Sequence, residues 1–387
     1  MTATLGIITN GVSGRMGYRQ HLVRSVLAIR DEGGVLLSNG TRVQVRPLLV
    51  GRDENKLKEI ANRHGIEDWT TDLDGALTDP NWQVYGDFLV TRARVEAIKR
   101  AIAAGKAIYT EKPAAESFPD ALALAQLAER AGVKSGVVHD KLYLPGILKL
   151  KRLIESGFFG RIMSIRGEFG YWVFEGDWHP AQRPSWNYRS EDGGGITLDM
   201  FPHWSYVLEN LFGSVKSVYS RAVTHITARV DESGNHYLAN ADDAAYAIFE
   251  LEGGVIAQIN SSWTVRVNRD ELVEFQVDGT LGSAVVGLFD CKIQPRTSTP
   301  KPVWNPDIED EIDYAKNWLN VPSNEPVENG FKTQWCHFIR HVVEDAPYSY
   351  DLYSGAKGLL LAEKALESSR EARRVDIPNM SELTDRR

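Results

Sequence analysis

Cysteine is nearly missing from this 387-residue chain, which holds only Cys291 and Cys336. Two thiols give no disulfide framework and suit a reducing cytoplasm. No apolar run approaches the roughly 20 residues that a membrane span needs. The opening stretch MTATLGIITNG has neither the basic nor the apolar segment of a secretory signal. Positive charge is in deficit as well: 44 Lys and Arg face 52 Asp and Glu, a formal net charge of -8. That balance argues against nucleic acid or an anionic membrane as the partner. Repeats and low-complexity linkers are also lacking. What remains is an ordinary globular composition, 43% hydrophobic and 25% charged, in a chain too long for one domain. Ten Trp and fourteen Tyr stand out. Aromatic faces serve core packing first and sugar-ring recognition second.

The first third alternates short apolar runs with helix-like segments, the pattern of β-α-β units on a parallel sheet. Leu5–Thr9 reads as a first strand, followed by a helix over 15–30. Val43–Val50, Asp87–Thr91, Ala107–Thr110 and Val133–Val138 read as further strands. SFPDALALAQLAERAG carries a Ser117/Asp120 cap, helical apolar spacing and a closing Gly132. The stretch Ile29–Arg42 reads as an insertion without a role. Beyond residue 160 come longer strands joined by glycine turns, such as IMSIRGEFGYW and LVEFQVDGTLGSAVVG, pointing to a mostly antiparallel sheet. Helical spacing returns from Gly330 to Arg373. The expected division is a Rossmann NAD(P)-binding domain over 1–140 and an α+β domain for substrate and oligomerisation over 141–387.

Directly after the first strand stands NGVSGRMG, with Gly11, Gly14 and Gly17 spaced G-x-x-G-x-x-G. Glycines at a strand-to-helix turn let the backbone approach a pyrophosphate, and the helix N-terminus offers it N–H donors. Ser13, Arg15 and Met16 complete this candidate cofactor turn. At the end of the second strand an NAD enzyme usually places an acid for the ribose 2′-hydroxyl. Here Gly51 fills that slot and Arg52 follows, giving room and charge for a 2′-phosphate. The reading favours NADP, with NAD the alternative if Asp53 takes the acid's place. Thr91, Glu111 and Lys112, at later strand ends, join the candidate cofactor set. Lys112, in AAGKAIYTEKPAA, can reach a substrate oxygen, and Pro113 fixes the turn that aims it. A solvated lysine is the bland alternative.

The motifs AGKAIYTEKPAA, LIESGFFGRI, GGGITLDMFPHW, VDGTLGSAVV and VVEDAPYSYDLYSGAKGLLLAEKALESSREARRV give the chain a further character. Through them residues 1 to about 375 resemble the glucose–fructose oxidoreductase and inositol dehydrogenase (Gfo/Idh/MocA) family. The resemblance implies an N-terminal Rossmann domain plus an open-faced β-sheet domain. It also implies a site lined by the Lys of EKP and the Asp and His of D-x-x-x-H, which fall here on Lys112, Asp199 and His203. Two departures stand out. TRARVEAIKR replaces the usual Pro-Asn pair and His after a strand, and Tyr206 stands where an acid often follows the catalytic His.

In chemical terms, Asp199 can cap a helix starting at Met200, and Pro202 is tolerable in a first turn. Trp204, Val207, Leu208, Leu211 and Phe212 would bury one face of that helix. The glycines at 193–195 would let the chain pass close to ligand or cofactor. His203 suits proton transfer near neutrality. The expected chemistry moves a hydride between a secondary alcohol of a sugar, glycoside or cyclic polyol and the nicotinamide. His203 or Lys112 handles the proton, and Asp199 orients. Redox-assisted glycoside hydrolysis and a non-catalytic nucleotide sensor are the competing classes on this fold.

The aromatic-rich GYWVFEGDWHPAQRPSWNYRSEDGGG offers Trp186, Arg183, Arg189 and Asp177 either to substrate or to a sheet edge or oligomer contact. Lys141 is a further substrate candidate. Cys336, His337 and His341 lack further ligands at metal spacing and read as a helix surface. The resemblance also implies a homodimer or homotetramer, since an open-faced sheet buries its free face against another subunit.

Overall fold

The computed structural model describes residues 3–172, 183–265, 267, 269–299, 307, 313–324 and 326–384. Asp177 lies outside them. The chain forms two compact units, one of residues 1–143 with 328–360 and one of 144–327 with 361–387. Among the described residues no helix is long and apolar enough to cross a membrane.

The first unit is built on five parallel strands in the spatial order Arg42–Val50, Ala3–Asn10, Val84–Asp87, Ala107–Thr110, Ser135–Val137. Ala3–Asn10 sends the chain to one neighbour and then to the other, so the strand order reverses at its carboxyl end. In such sheets ligands bind at that reversal. The expected strand over Asp87–Thr91 is corrected. The strand is Val84–Asp87, and Thr91 begins the helix Thr91–Ala103. Ala97, Ile98 and Ala101 on that helix have the spacing of a buried stripe. After the glycine turn the chain winds as a wide i→i+5 helix over Gly17–Leu27 and tightens to α over Ala28–Asp31.

The insertion has a structural role. Val35–Leu36 pairs antiparallel with the start of Arg42–Val50, and Trp69–Thr70 pairs parallel with its end. Ser38 N–H and Oγ–H donate to the Glu344 carboxylate, and Arg340 donates to the Leu36 carbonyl. Both acceptor and guanidinium come from the helix Gly330–Glu344. Asn329 caps this helix by accepting from Phe331 N and Lys332 N. Residues 328–360, expected in the second domain, therefore belong to the first unit. The reason is apolar: Phe331, Trp335, Phe338 and Ile339 are buried in one cluster with Ile7, Leu49, Val84 and Tyr109. Each such side chain contributes about 1.5–3 kcal/mol by leaving water.

The second unit holds a nine-stranded sheet. Its strand order is Leu319–Asn320, Cys291–Pro295, Gly282–Val286, Val273–Gly279, Ile162–Trp172, Ile256–Val265, Ala244–Leu251, Val215–Val223, Val375–Asp376. All pairs are antiparallel except Ile162–Trp172 with Ile256–Val265. The helix Ile196–Leu211 packs on one face, with Trp204 edge-on to Phe169 and Phe275 and its indole N–H donating to Ser261 Oγ. Along Ala244–Leu251 burial alternates, so Tyr246 and Ile248 point to the opposite face and are exposed.

Candidate active site

The turn after the first strand is glycine-dependent at two positions. Gly11 has φ 96°, and a Cβ there would lie 2.7 Å from the Phe88 backbone. A Cβ on Gly17 would lie 2.5 Å from the Gly11 carbonyl oxygen. Gly14 differs: its Cβ would meet only that oxygen, at an unstrained 3.4 Å. The protein's own packing leaves room for a side chain there, so the room suits a ligand that comes close to the backbone. Ser13, Gly14 and Arg15 are exposed, while Met16 is half-buried against the core. These features fit a dinucleotide pyrophosphate.

At the second strand end, Asp53 has a structural task. It caps the helix Glu54–His64, its side chain accepting from Lys56 N at 3.1 Å. Arg52 beside it is exposed. A Cβ on Gly51 would sit 3.3 Å from Leu57 Cδ2.

The EKP turn is held from behind by a buried chain of donors. Trp335 Nε1–H donates to His21 Nδ1 (3.1 Å). An indole can only donate, so His21 carries its proton on Nε2 and gives it to Glu111 Oε1 (2.9 Å). The other carboxylate oxygen accepts from Lys112 N (3.1 Å). Burial pushes the Glu111 carboxyl up, but the hydrogen bond from His21 and the charges of Arg94 and Lys112 outweigh it and hold it below the usual carboxylate range. Glu111 thus serves the turn itself. The Lys112–Pro113 bond is cis. Lys141, in the short turn Asp140–Tyr143, is ion-paired to Asp140 at 2.5 Å.

In the second unit the helix bearing the D-x-x-x-H motif begins at Ile196. This corrects the expected start at Met200 and the expected cap. Asp199 lies inside the first turn, and the cap comes from Asp242. Its carboxylate accepts from Thr197 N (2.8 Å) and Thr197 Oγ1 (2.6 Å), and its carbonyl accepts from Ile196 N (2.8 Å). The glycine run has its explanation here, within the protein itself. A Cβ on Gly194 would lie 2.5 Å from the Trp186 and Asn187 carbonyls, and one on Gly195 (φ 118°) would lie 2.4 Å from Asp242 Oδ1. Pro202 sits in the helix interior, not its first turn. The helix is buried nearly all round rather than on one face, including Met200, Phe201, Tyr206 and Val207.

Asp199 and His203 are one turn apart. Arg183, expected at substrate or a sheet edge, donates to Asp199 Oδ2 (2.9 Å) and Asn187 Oδ1 (2.9 Å) while stacking on Trp263. His203 Nδ1 shares a 2.6 Å hydrogen bond with Tyr206 Oη. The phenol thus takes over ring orientation from the acid usual at that position and brings no formal charge. Trp186 is half-exposed, and the Arg189 guanidinium lies over the Tyr237 ring. On the helix Gly330–Glu344, His337 meets Tyr143 Oη and His341 meets the Ala346 carbonyl.

Three residues escaped the sequence reading: His21, Arg94 and Asp242. A signal existed for Arg94, because it occupies the buried stripe of its helix at three, four and seven residues from Ala97, Ile98 and Ala101. A charge on an apolar stripe is seldom idle.

A glycine turn at the switch point of a parallel sheet is the layout of a dinucleotide-binding domain, and comparison with known proteins makes the chain an oxidoreductase. The family described as "Oxidoreductase family, NAD-binding Rossmann fold" matches residues 29–139, and the GFO/IDH/MocA C-terminal domain matches residues 147–285. A D-xylose dehydrogenase of Paenarthrobacter nicotinovorans is 57% identical over 384 residues, spanning 98% of this chain and 99% of that one. A levoglucosan dehydrogenase of Pseudarthrobacter phenanthrenivorans is 24% identical over 257 residues, covering 62% of this chain and 64% of its own. A solved structure of levoglucosan dehydrogenase in complex with NADH and L-sorbose shares the fold over 98% of this chain and 100% of its own, with TM-score 0.81 at 20% identity. The chain belongs to the Gfo/Idh/MocA family of nicotinamide-dependent oxidoreductases.

Proposed function

We propose that this protein oxidises a free sugar, D-xylose foremost, at a ring hydroxyl, with NADP favoured over NAD. The observation that carries this reading is the 57% identity to a D-xylose dehydrogenase across almost the whole chain. The retention of Lys112, Asp199 and His203 supports it. A bound nicotinamide supplies the hydride acceptor. Gly11, Ser13, Gly14, Arg15 and Met16 would hold its pyrophosphate side, and Gly51, Arg52 and Thr91 its ribose side. The preference for NADP rests on Asp53 being engaged as a helix cap and on the exposed Arg52 beside Gly51.

The proton is the task of the protein. With Nδ1–H of His203 donating to Tyr206 Oη, Nε2 is the bare ring nitrogen and takes the substrate hydroxyl proton. Lys112 donates a hydrogen bond to the same oxygen. Asp199, fixed by Arg183, accepts from a neighbouring hydroxyl. Lys141 of the first unit and Trp186 and Arg189 of the second are the proposed sugar contacts. The protein acts in the cytoplasm, consistent with two free cysteines, as a homodimer or homotetramer. The exposed Tyr219, Tyr246 and Ile248 of the open sheet face support that assembly.

The test is an absorbance assay with NADP and NAD against D-xylose, other aldoses, levoglucosan and inositols. Turnover of D-xylose is expected, with kcat lowered about 10²- to 10⁴-fold in Lys112→Ala and His203→Asn. Absence of turnover with every sugar, despite nucleotide binding, overturns the reading.

A further inference from the structure

The Arg94 side chain is 97% buried and donates in four directions. Nε gives its proton to Asp87 Oδ2 (2.5 Å), and Nη2 to the Leu89 carbonyl (2.6 Å). Nη1 serves the Glu111 carbonyl (3.0 Å) and the Pro113 carbonyl. These acceptors belong to two adjacent strand ends: the loop after Val84–Asp87, and the turn after Ala107–Thr110 that carries Lys112. The carbonyls of the residues on either side of Lys112, Glu111 and Pro113, therefore share one nitrogen of a single rigid guanidinium. Thr110 Oγ1–H donates to the same Asp87 oxygen (2.9 Å), which fixes the anion beneath the guanidinium.

We infer that Arg94 is a positioning residue for Lys112: it sets the direction of the lysine by clamping the carbonyls of its two neighbours, Glu111 and Pro113. This rests on the reading of Lys112 as the group that contacts substrate. A guanidinium alone has the planar fork needed; a lysine ammonium at the same place reaches one or two of the four acceptors. Since a misplacement of about 1 Å costs on the order of 100-fold in rate, the clamp acts on kcat and leaves nucleotide affinity, set at the Gly11–Gly17 turn, nearly unchanged.

Arg94→Lys tests this. The expected result is a kcat lower by about 30- to 100-fold, with sugar KM and NADPH dissociation constant each within about threefold of wild type. In the nucleotide-free protein, amide exchange in the 107–116 segment should quicken while that of Ala3–Asn10 does not. A folded Arg94→Lys that keeps kcat within twofold overturns the proposal, as does a kcat loss with unchanged exchange at 107–116. Should Arg94→Lys fail to fold, the double variant Asp87→Asn/Arg94→Gln carries the same test. It leaves no unpaired buried charge, and the same kcat loss and quickened exchange are expected; wild-type kcat overturns the clamp. Lys112→Ala separates the two levels. If it loses activity while Arg94→Lys does not, only the clamp fails. If it keeps activity, the role of Lys112 itself fails.

Discussion

Two residues decide behaviour out of proportion to their size. On the proposed reading Gly51 stands where an acid would select NAD, and a Cβ built there would first meet Leu57 Cδ2, the flexible tip of a side chain, at 3.3 Å. Gly51→Asp should therefore be accommodated and place a carboxylate against a 2′-phosphate. The expected outcome is a shift of at least tenfold in the ratio of kcat/KM for NADP over NAD, measured by steady-state kinetics with each cofactor. An unchanged ratio would show that the ribose lies elsewhere. His139 acts on stability instead. It is buried, with Ser354 Oγ at hydrogen-bond distance, and burial lowers its pKa from about 6.5 to about 3. The unfolded chain therefore takes up a proton near pH 6.5 that the folded chain refuses until about pH 3. Stability is full above pH 6.5 and drains as pH falls towards 3, by roughly 4–5 kcal/mol over the whole window. Urea melts from pH 7.5 to 4 should show a steeper decline for wild type than for His139→Gln.

Elements show where sequence reasoning succeeds and where it stops. The glycine turn, the parallel strands and the antiparallel sheet were legible because each writes a local period or a local backbone demand into the chain. The start of the D-x-x-x-H helix was not, because its cap arrives from Asp242, more than forty residues further on. A cap from a distant loop leaves no local signature, and Asp199 offered a plausible local substitute. Likewise Arg183 reads as a free substrate ligand until the fold lays it on Trp263 and Asp199. Arg94 was half legible: its stripe position signals burial, but its four acceptors come together only in the folded sheet. The Asp242 cap makes its own prediction. Asp242→Ala should lower stability by about 2 kcal/mol and reduce kcat by letting the helix start fray, whereas Asp242→Asn, which keeps an acceptor, should do much less. Chemical denaturation beside kinetics of both variants checks this; equal effects from the two would count against capping.

For the molecule as a whole, the open sheet face is the feature with the plainest consequence. Ile248 is paired directly with Tyr219 across the ladder, and both are exposed. Ile248→Lys is expected to lower the oligomer mass seen by light scattering while leaving the far-ultraviolet dichroism unchanged. An unaltered mass would count against a subunit contact on this face.

A different consequence follows from the way the first unit is threaded. Its core closes only with Phe331, Trp335, Phe338 and Ile339, which the ribosome delivers after the entire stretch 144–327. At about 5–20 residues per second, the nascent amino-terminal sheet waits roughly 10–40 s with an apolar flank uncovered. The amino-terminal third is thus made first but finished almost last. A fragment ending near residue 143 should be a client of chaperones rather than a free-standing nucleotide-binding domain.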